Sequence, residues 1–273
     1  MHGLRPRPVP FVVLNLPRAM AIVRIGQWLA AVDDRLLELA AQCSSVEQFC
    51  VEAQPGASVR LNLRWTQPGS AERWIQLDGE GDQPGMYCIQ GNSLRVCIPA
   101  DAPAAEAAVR ALFQIATLRQ GGVLLHAASA SFGHSAIVAL GPSGAGKSTL
   151  ARFCLEAGGE LLSDETVALY PDGRVYGTPF FSDDDLIGAP RSARATRIVW
   201  LQKGEQESIE TLSQPQAVAM LLAQAYRPAP GEAAPEALLG RTAQLASTAG
   251  LHRLLFRKHP GAGEFVKRCL LAA

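Results

Sequence analysis

The sequence carries little charge, and the two signs are balanced. Charged residues make up 18% of the chain, with 25 Lys and Arg against 25 Asp and Glu. A globular domain usually has about a quarter of its residues charged, so the deficit indicates extensive buried surface. The balance gives no support to a nucleic-acid-binding stripe or to a basic patch for a membrane surface. We therefore expect neither a nucleic acid nor a membrane as a partner.

The sequence also lacks long apolar runs and closely paired cysteines. No stretch reaches the roughly 18 apolar residues that a membrane-spanning helix requires. No C-x-x-C pair is present, so we do not expect a zinc ribbon. No secretory leader is recognisable, and we therefore expect a cytoplasmic protein whose cysteines are reduced and mostly buried. The cysteines are Cys43, Cys50, Cys88, Cys97, Cys154 and Cys269.

What the sequence does have is apolar material arranged with two periods. Apolar residues make up 48% of the 273 residues, enough for a sizeable core. Residues 18–41 show loose helical spacing, which predicts a helix. Residues 57–98 alternate between apolar and polar positions, which predicts a meander of antiparallel strands. We accordingly predict an N-terminal extension, residues 1–56, followed by a domain over residues 57–273.

Beyond residue 100, helical and strand patterns follow one another. Asp101 is a good N-cap for a helix that the Gly121-Gly122 pair ends. Two strands are predicted next, over residues 123–130 and 135–140. The second is almost wholly apolar, which is typical of a central strand covered on both faces. These features predict an α/β fold with a mixed sheet, preceded by a strand-rich region.

A phosphate-binding loop, the Walker A motif, directly follows that apolar strand. The letters G-P-S-G-A-G-K-S match the pattern G-x-x-x-x-G-K-[ST]. Glycines let several backbone N–H groups point at phosphate oxygens, and the next helix adds its positive end. We expect Lys147 to reach the phosphates of ATP and Ser148 to coordinate Mg2+; a tight turn without a ligand is the alternative. The predicted nucleotide-binding residues are Gly141, Pro142, Ser143, Gly144, Ala145, Gly146, Lys147, Ser148 and Thr149.

An acidic pair ends the next predicted strand. Asp164 lies 17 residues after Lys147, and Glu165 follows it. One carboxylate can hold magnesium and the other can accept a proton from a nucleophile; a solvated turn is the alternative. The short spacing argues against an ABC-transporter ATPase, in which a whole subdomain separates the two motifs. No ABC signature and no GTPase base-reading motif is present.

Four segments taken together resemble the HPr kinase/phosphorylase-like serine kinases, including relatives encoded with peptide-modification clusters. The resemblance covers residues 121–176 well and the region to residue 273 loosely. It implies a P-loop NTPase-like fold of the HPr kinase/PEP carboxykinase type, ATP and Mg2+ as cofactors, and a peptide or small-protein acceptor. Members of the family form hexamers, which leaves a homo-oligomer open. The segments are Leu125-His126-Ala127, Gly141–Ser148, Leu162–Glu165 and Val175–Pro179.

The resemblance implies a role for each matching residue. Asp164 corresponds to the base that acts on the substrate serine, and Lys147 to the lysine on the phosphates. His126 corresponds to a histidine near the phosphates, with a satisfied core histidine as the alternative. Ser148 and Glu165 correspond to the residues that hold the metal, although the family usually has aspartate where this chain has Glu165.

The predicted function is ATP-dependent phosphorylation of a serine hydroxyl on a peptide or small protein. Two alternatives use the same residues. The first is a small-molecule kinase, which a closed pocket lined by small polar groups would favour. The second is a nucleotide-dependent switch module that hydrolyses ATP slowly or not at all. Substitution of Asp164 separates a kinase from a switch module, because a kinase loses turnover and a switch keeps its binding function.

Three weaker signals follow the acidic pair along the chain. Thr178-Pro179 either shapes the mouth of the site or forms an ordinary turn. Asp183–Asp185 is either a solvated loop or a second metal site. The next signal is a set of arginines spaced three apart, which form either a solvated face or a clamp for a phosphate or an acidic substrate: Arg191, Arg194 and Arg197.

Overall fold

The computed structural model shows a mixed α/β protein with two sheets. The described part contains six α-helices and fourteen strands. No helix within it is both long and apolar enough to cross a membrane. The predicted loop Asp183–Asp185 lies outside the described residues, as does the start of the predicted extension. The structure describes residues 20–52, 58–67, 73–77, 85–181, 186–227, 232 and 235–271.

The first sheet contains six strands. They are β1 (Met20–Ile25), β2 (Trp28–Asp33), β3 (Val59–Trp65), β4 (Ile75–Gln76), β5 (Met86–Gln90) and β6 (Ser93–Cys97). Their order across the sheet is β1-β2-β3-β6-β5-β4. In β3, Leu61 and Leu63 are buried whereas Arg60 and Arg64 are exposed, as the alternating pattern predicts. One face of β3 therefore packs in a core and its other face is polar.

The helix predicted over residues 18–41 is wrong for most of its length. β1 and β2 form an antiparallel hairpin there, with Ile25 opposite Trp28, and only α1 (Asp34–Ala40) is helical. Val23 and Ile25 are buried on either side of the exposed Arg24. This alternation of period two was obscured because apolar residues also occupy the outer face of the hairpin.

The predicted antiparallel meander is correct only for part of the sheet. β4, β5 and β6 pair antiparallel, but β3 runs parallel to both β2 and β6. Side-chain alternation is the same in parallel and antiparallel strands, so the sequence pattern does not distinguish the two. β2 and β3 lie on opposite sides of the predicted boundary between residues 56 and 57 and are neighbours in this sheet; the boundary itself stays a prediction.

The helix predicted after Asp101 is confirmed and connects the two sheets. It is α2 (Ala102–Arg119), and the Asp101 carboxylate accepts a hydrogen bond from the amide of Ala104 at 2.9 Å. Buried residues of α1 and α2 cover the inner face of the first sheet in one core. That core also takes in Phe180, a residue from the far half of the chain.

The second sheet contains eight strands. They are β7 (Val123–Phe132), β8 (Ser135–Leu140), β9 (Glu160–Ser163), β10 (Thr166–Leu169), β11 (Arg174–Tyr176), β12 (Ser192–Lys203), β13 (Ser208–Thr211) and β14 (Leu251–Phe256). Their order is β11-β10-β7-β8-β12-β14-β13, with β9 also pairing with β7 and β11 also pairing with β12. β8 and β12 are parallel, whereas β7 is antiparallel to β8. The predicted mixed sheet is therefore observed.

Helices cover both faces of the second sheet. They are α3 (Lys147–Glu156), α4 (Gln214–Gln224), α5 (Pro235–Ala249) and α6 (Gly261–Leu271). Val138 and Leu140 of β8 pack in the core shared with α4 and α5, whereas Ile137 and Ala139 pack in the core shared with α3 and α6. The prediction that β8 is a central strand covered on both faces is confirmed. Its carboxyl end opens into the glycine-rich loop.

Candidate functional site

The glycine-rich loop connects the end of β8 to the first residue of α3. Gly146 caps α3 with a φ of 103°, and no side chain caps the helix there. A Cβ at Gly146 would lie 2.7 Å from the ring of Phe256, so only glycine fits. The first amides of a helix have no intrahelical acceptor and carry partial positive charge. The loop therefore offers the donors that a phosphate group binds.

Lys147 is folded back onto the loop that precedes it. Its side chain is buried, and its Nζ donates to the backbone oxygen of Gly141 at 2.9 Å. In the orientation that satisfies its hydrogen bonds, the Gln224 amide donates to the same oxygen at 3.1 Å and to the backbone oxygen of His126 at 3.2 Å. Gln224 ends α4, and no local sequence pattern indicates this contact, because 83 residues separate it from Gly141.

The acidic pair lies at an interruption between two strands. β9 and β10 both run antiparallel to β7, and Asp164 and Glu165 fall between them. The amide of Ala127 in β7 donates to the backbone oxygen of Glu165 at 2.9 Å. Asp164 is only 1% exposed, although carboxylates are seldom fully buried. The structure thus buries Asp164, the predicted base, between β9 and β10 and beside β7.

One strand, β7, separates the acidic pair from the loop. On one side of it, His126 is opposite Thr166, the residue after the acidic pair. On the other side, Ala127 is opposite Leu140, the residue before the loop. Adjacent strands lie about 4.8 Å apart, so the backbones of the two motifs are roughly 10 Å apart across the sheet. The fold therefore brings the two predicted motifs into one site.

The charges of the two motifs act on one another within the site. Burial lowers the pKa of Lys147, and the carboxylates of Asp164 and Glu165 oppose that shift. Burial lowers the pKa of His126 as well, and the positive charge of Lys147 lowers it further. His126 is therefore neutral near neutral pH and lies within reach of the charges of both motifs. Its catalytic role stays a prediction.

Sequence analysis missed Arg110, which contacts the acidic pair from α2. Its Nη1 lies 3.1 Å from Oε1 of Glu165 and 2.9 Å from Oγ1 of Thr166. On its other side it pairs with Glu106, four residues earlier on the same helix. A Glu–Arg pair at this spacing is visible in the sequence. The contact with Glu165, 55 residues away, depends on the packing of α2 against the second sheet.

Buried hydroxyl groups form hydrogen bonds with the residues on either side of the acidic pair. Ser163 Oγ accepts a hydrogen bond from the amide of Thr166 at 3.2 Å and lies 3.1 Å from Thr178 Oγ1. The Thr178 hydroxyl in turn donates to the backbone oxygen of Thr166. Because Thr178 is fully buried, it supports the site from beneath and does not line its mouth.

The three spaced arginines do not converge on the loop. Arg194 and Arg197 lie in β12 opposite the first half of β8, at the far end of the sheet from the loop. The Arg191 side chain is 63% exposed and pairs with Glu160 at 2.6 Å, also at that end. These arginines therefore do not contact a phosphate held at the loop, and a solvated face agrees with their positions; a clamp for an acidic substrate stays a prediction.

The oxygen donors of the site fit magnesium by type. Within the described ranges, no group of three or more His, Cys, Asp or Glu residues is arranged to hold a metal ion. Mg2+ prefers oxygen ligands and usually shares them with phosphates and water. Ser148 in the first turn of α3 and the carboxylates of Asp164 and Glu165 suit an ion shared with a bound nucleotide. One oxygen of Glu165 already accepts from Arg110.

Comparisons with known proteins add little to this geometry. No family model matches the chain, and no curated protein matches it. Among solved structures, the chain shows a likeness to the HPr(Ser) kinase/phosphatase from Coxiella burnetii. The two chains are 13% identical, with 55% of this chain and 97% of that chain covered and a TM-score of 0.30. So low a score carries no argument about activity, and the functional conclusion depends on the site itself.

Proposed function

We propose that this protein is a P-loop kinase that phosphorylates a hydroxyl group at the expense of ATP, with a serine of a peptide or small protein as acceptor. The observation that supports this is the buried carboxylate of Asp164, one strand away from the loop that ends at Lys147. A phosphate cradle with a nearby base is what transfer to a hydroxyl needs. A site that only binds nucleotide needs the cradle alone.

Each residue of the site then has one task. Lys147 and the first amides of α3 hold the terminal phosphates, and Ser148 with Glu165 hold Mg2+. The ion supplies positive charge that neutralises the phosphate oxygens. Asp164 takes the proton of the acceptor hydroxyl. The hydroxyl oxygen of the acceptor bonds to the γ-phosphorus, and the bond between that phosphorus and the bridging oxygen breaks, which releases ADP. Neutral His126 donates a hydrogen bond to the same phosphate, and positioning supplies most of the rate.

A nucleotide-dependent switch with little turnover is the second candidate. The observation that favours it is the ion pair between Glu165 and Arg110, at 3.1 Å. An oxygen held by an arginine is a poorer metal ligand than a free one, because it already shares its charge. A switch of this kind requires tight nucleotide binding but no acceptor.

The decisive experiment incubates the purified chain with γ-labelled ATP, Mg2+ and a candidate peptide encoded beside it. Asp164→Asn is run in parallel, and Asp172→Asn, in a half-exposed turn, is the matched control. Label on a peptide serine that disappears only in Asp164→Asn supports the kinase and identifies its base. Tight nucleotide binding with no label on any peptide contradicts a peptide kinase. A parallel incubation replaces the peptide by small hydroxyl compounds, and label on one of these compounds identifies a small-molecule kinase.

A further inference from the structure

Arg110 lies outside every motif of the site, yet its guanidinium is held against the acidic pair. Its Nη1 lies 3.1 Å from Oε1 of Glu165, 2.9 Å from Oγ1 of Thr166 and 3.0 Å from the hydroxyl of Tyr226. Thr166 and Tyr226 also contact each other, at 3.2 Å between their hydroxyl oxygens. One guanidinium nitrogen therefore joins α2, β10 and Tyr226, the second residue after α4.

The opposite edge of the guanidinium is held equally closely. Nε and Nη2 lie 3.0 and 2.5 Å from Oε1 of Glu106. The guanidinium carbon lies 4.6 Å from the ring centroid of Phe180. The side chains of Arg110 and Glu165 are only 20% and 22% exposed, so solvent screens their pair less than a surface pair. A planar fork held on three sides has a defined position and imposes one on its partners.

The support beneath the acidic pair is anchored in the same core as Arg110. Phe180 stacks edge-on against Phe113 of α2, with ring centroids 5.2 Å apart. The backbone oxygen of Pro179 accepts hydrogen bonds from the amide and hydroxyl of Ser45, at 2.9 and 3.1 Å. Phe113 and Phe180 belong to the core of the first sheet, and Ser45 directly precedes Val46 of the same core. The acidic pair is thus held directly by Arg110, and the chain that supports it is held by Phe113 and Ser45.

We propose that Arg110 is a positioning residue that acts through Glu165, and that α2, which packs on the first sheet, completes the site by supplying it. The inference rests on the proposed phosphoryl transfer. Arg110 holds the Glu165 carboxylate and the Thr166 hydroxyl, so that Asp164 and Glu165 keep the orientation that transfer requires. Loss of this orientation lowers turnover, whereas nucleotide binding depends on the loop and on Lys147 and stays intact.

The test compares Arg110→Met with Arg119→Met. Both arginines belong to α2, are 20% and 23% exposed, and form ion pairs with glutamates, at 2.5 Å to Glu106 and 2.7 Å to Glu232. Arg110→Met lowers kcat about tenfold or more and changes KM for ATP less than about twofold, because positioning acts on the reacting groups. Arg119→Met leaves kcat within about twofold. Equal kcat losses in the two variants would overturn the proposal.

A double-mutant cycle then shows whether Arg110 acts through Glu165. When Arg110→Met is added to Glu165→Gln, kcat should fall by less than about twofold relative to Glu165→Gln alone, because the partner charge is already gone. A full additional loss in that background means that Arg110 acts elsewhere and overturns the proposal. Arg110→Lys keeps the charge without the fork, so it should recover part of the kcat; it also replaces Arg110→Met should that variant fail to fold.

Amide hydrogen exchange provides a readout that needs no activity. The amide of Thr166 donates to Ser163 Oγ and that of Ala127 to Glu165, so both report on the acidic pair. Arg110→Met should speed their exchange about tenfold relative to wild type, and Arg119→Met should not. Unchanged exchange overturns the positioning role. If wild type transfers no label to any acceptor, the proposed kinase function fails by itself, and the exchange rates still decide the role of Arg110.

Discussion

The Nζ of Lys147 donates to the backbone oxygen of Gly141 at 2.9 Å, so the lysine at the end of the loop is hydrogen-bonded to the first residue of the loop. The Gln224 amide donates to the same oxygen at 3.1 Å. These contacts hold the loop in one conformation and reduce the entropy that ordering on binding would cost. The lysine gives up one neutral acceptor when it takes a phosphate oxygen instead.

Replacing Lys147 by methionine should weaken nucleotide binding. A hydrogen bond that involves a charged group contributes about 1.5–3 kcal/mol, which corresponds to a loss of roughly tenfold to a hundredfold in affinity. Titration of a fluorescent ATP analogue measures the effect. Lys267→Met is the control, because Lys267 also donates to a backbone oxygen, that of Ala157 at 2.9 Å, but lies on α6. Unchanged affinity in Lys147→Met would contradict a nucleotide site at this loop.

Gly177→Ala should destabilise the support beneath the acidic pair. A Cβ at Gly177 would lie 2.6 Å from the backbone oxygen of Leu162 and closer still to that of Ala189. Overpacking of this kind costs about 1–3 kcal/mol of unfolding free energy, measured by urea denaturation. Gly240→Ala is the control, because nothing lies within 4 Å of its Cβ in α5. That change should instead stabilise the protein by about 0.5–1 kcal/mol.

His126 should make the protein less stable in mild acid. Burial lowers its pKa below the usual 6.5, so the unfolded chain binds the proton more readily than the folded protein. Stability therefore falls as pH drops from about 6.5 through the lowered pKa of the folded state. His126→Gln should show a smaller loss of unfolding free energy between about pH 7 and pH 5.5. His252, whose pKa burial also lowers, remains in both proteins; an identical pH dependence would count against this assignment.

Phe180→Ala should destabilise the contact between the two sheets. Phe180 is fully buried, and its ring is packed edge-on against Phe113. Removal of a buried phenylalanine ring costs about 3–5 kcal/mol of unfolding free energy, which chemical denaturation measures. Leu239→Ala, at a 47% exposed position of α5, provides the comparison and should change stability by less than about 0.5 kcal/mol. Equal effects in the two variants would show that the Phe180 contact is not important.

Local patterns predicted those elements whose signals are themselves local. The local signals predict the N-cap of α2 at Asp101, the apolar strand β8 and a helix after the glycine-rich loop, and all three are observed. They do not predict the β1–β2 hairpin, because Val23 and Ile25 alternate within a stretch that is apolar on both faces. Pattern alone cannot separate the two periods in such a stretch.

The amino-acid sequence by itself predicted a phosphate loop, because the chemistry of an eight-residue motif is carried by its own glycines, lysine and serine. It also identified Asp164 and Glu165 as the acidic pair of the next strand. Only the tertiary structure decided what surrounds them. Arg110 reaches Glu165 across 55 residues, and Gln224 reaches Gly141 from another helix. Contacts of this kind depend on how α2 and α4 pack against the sheet, and packing is a property of the whole chain.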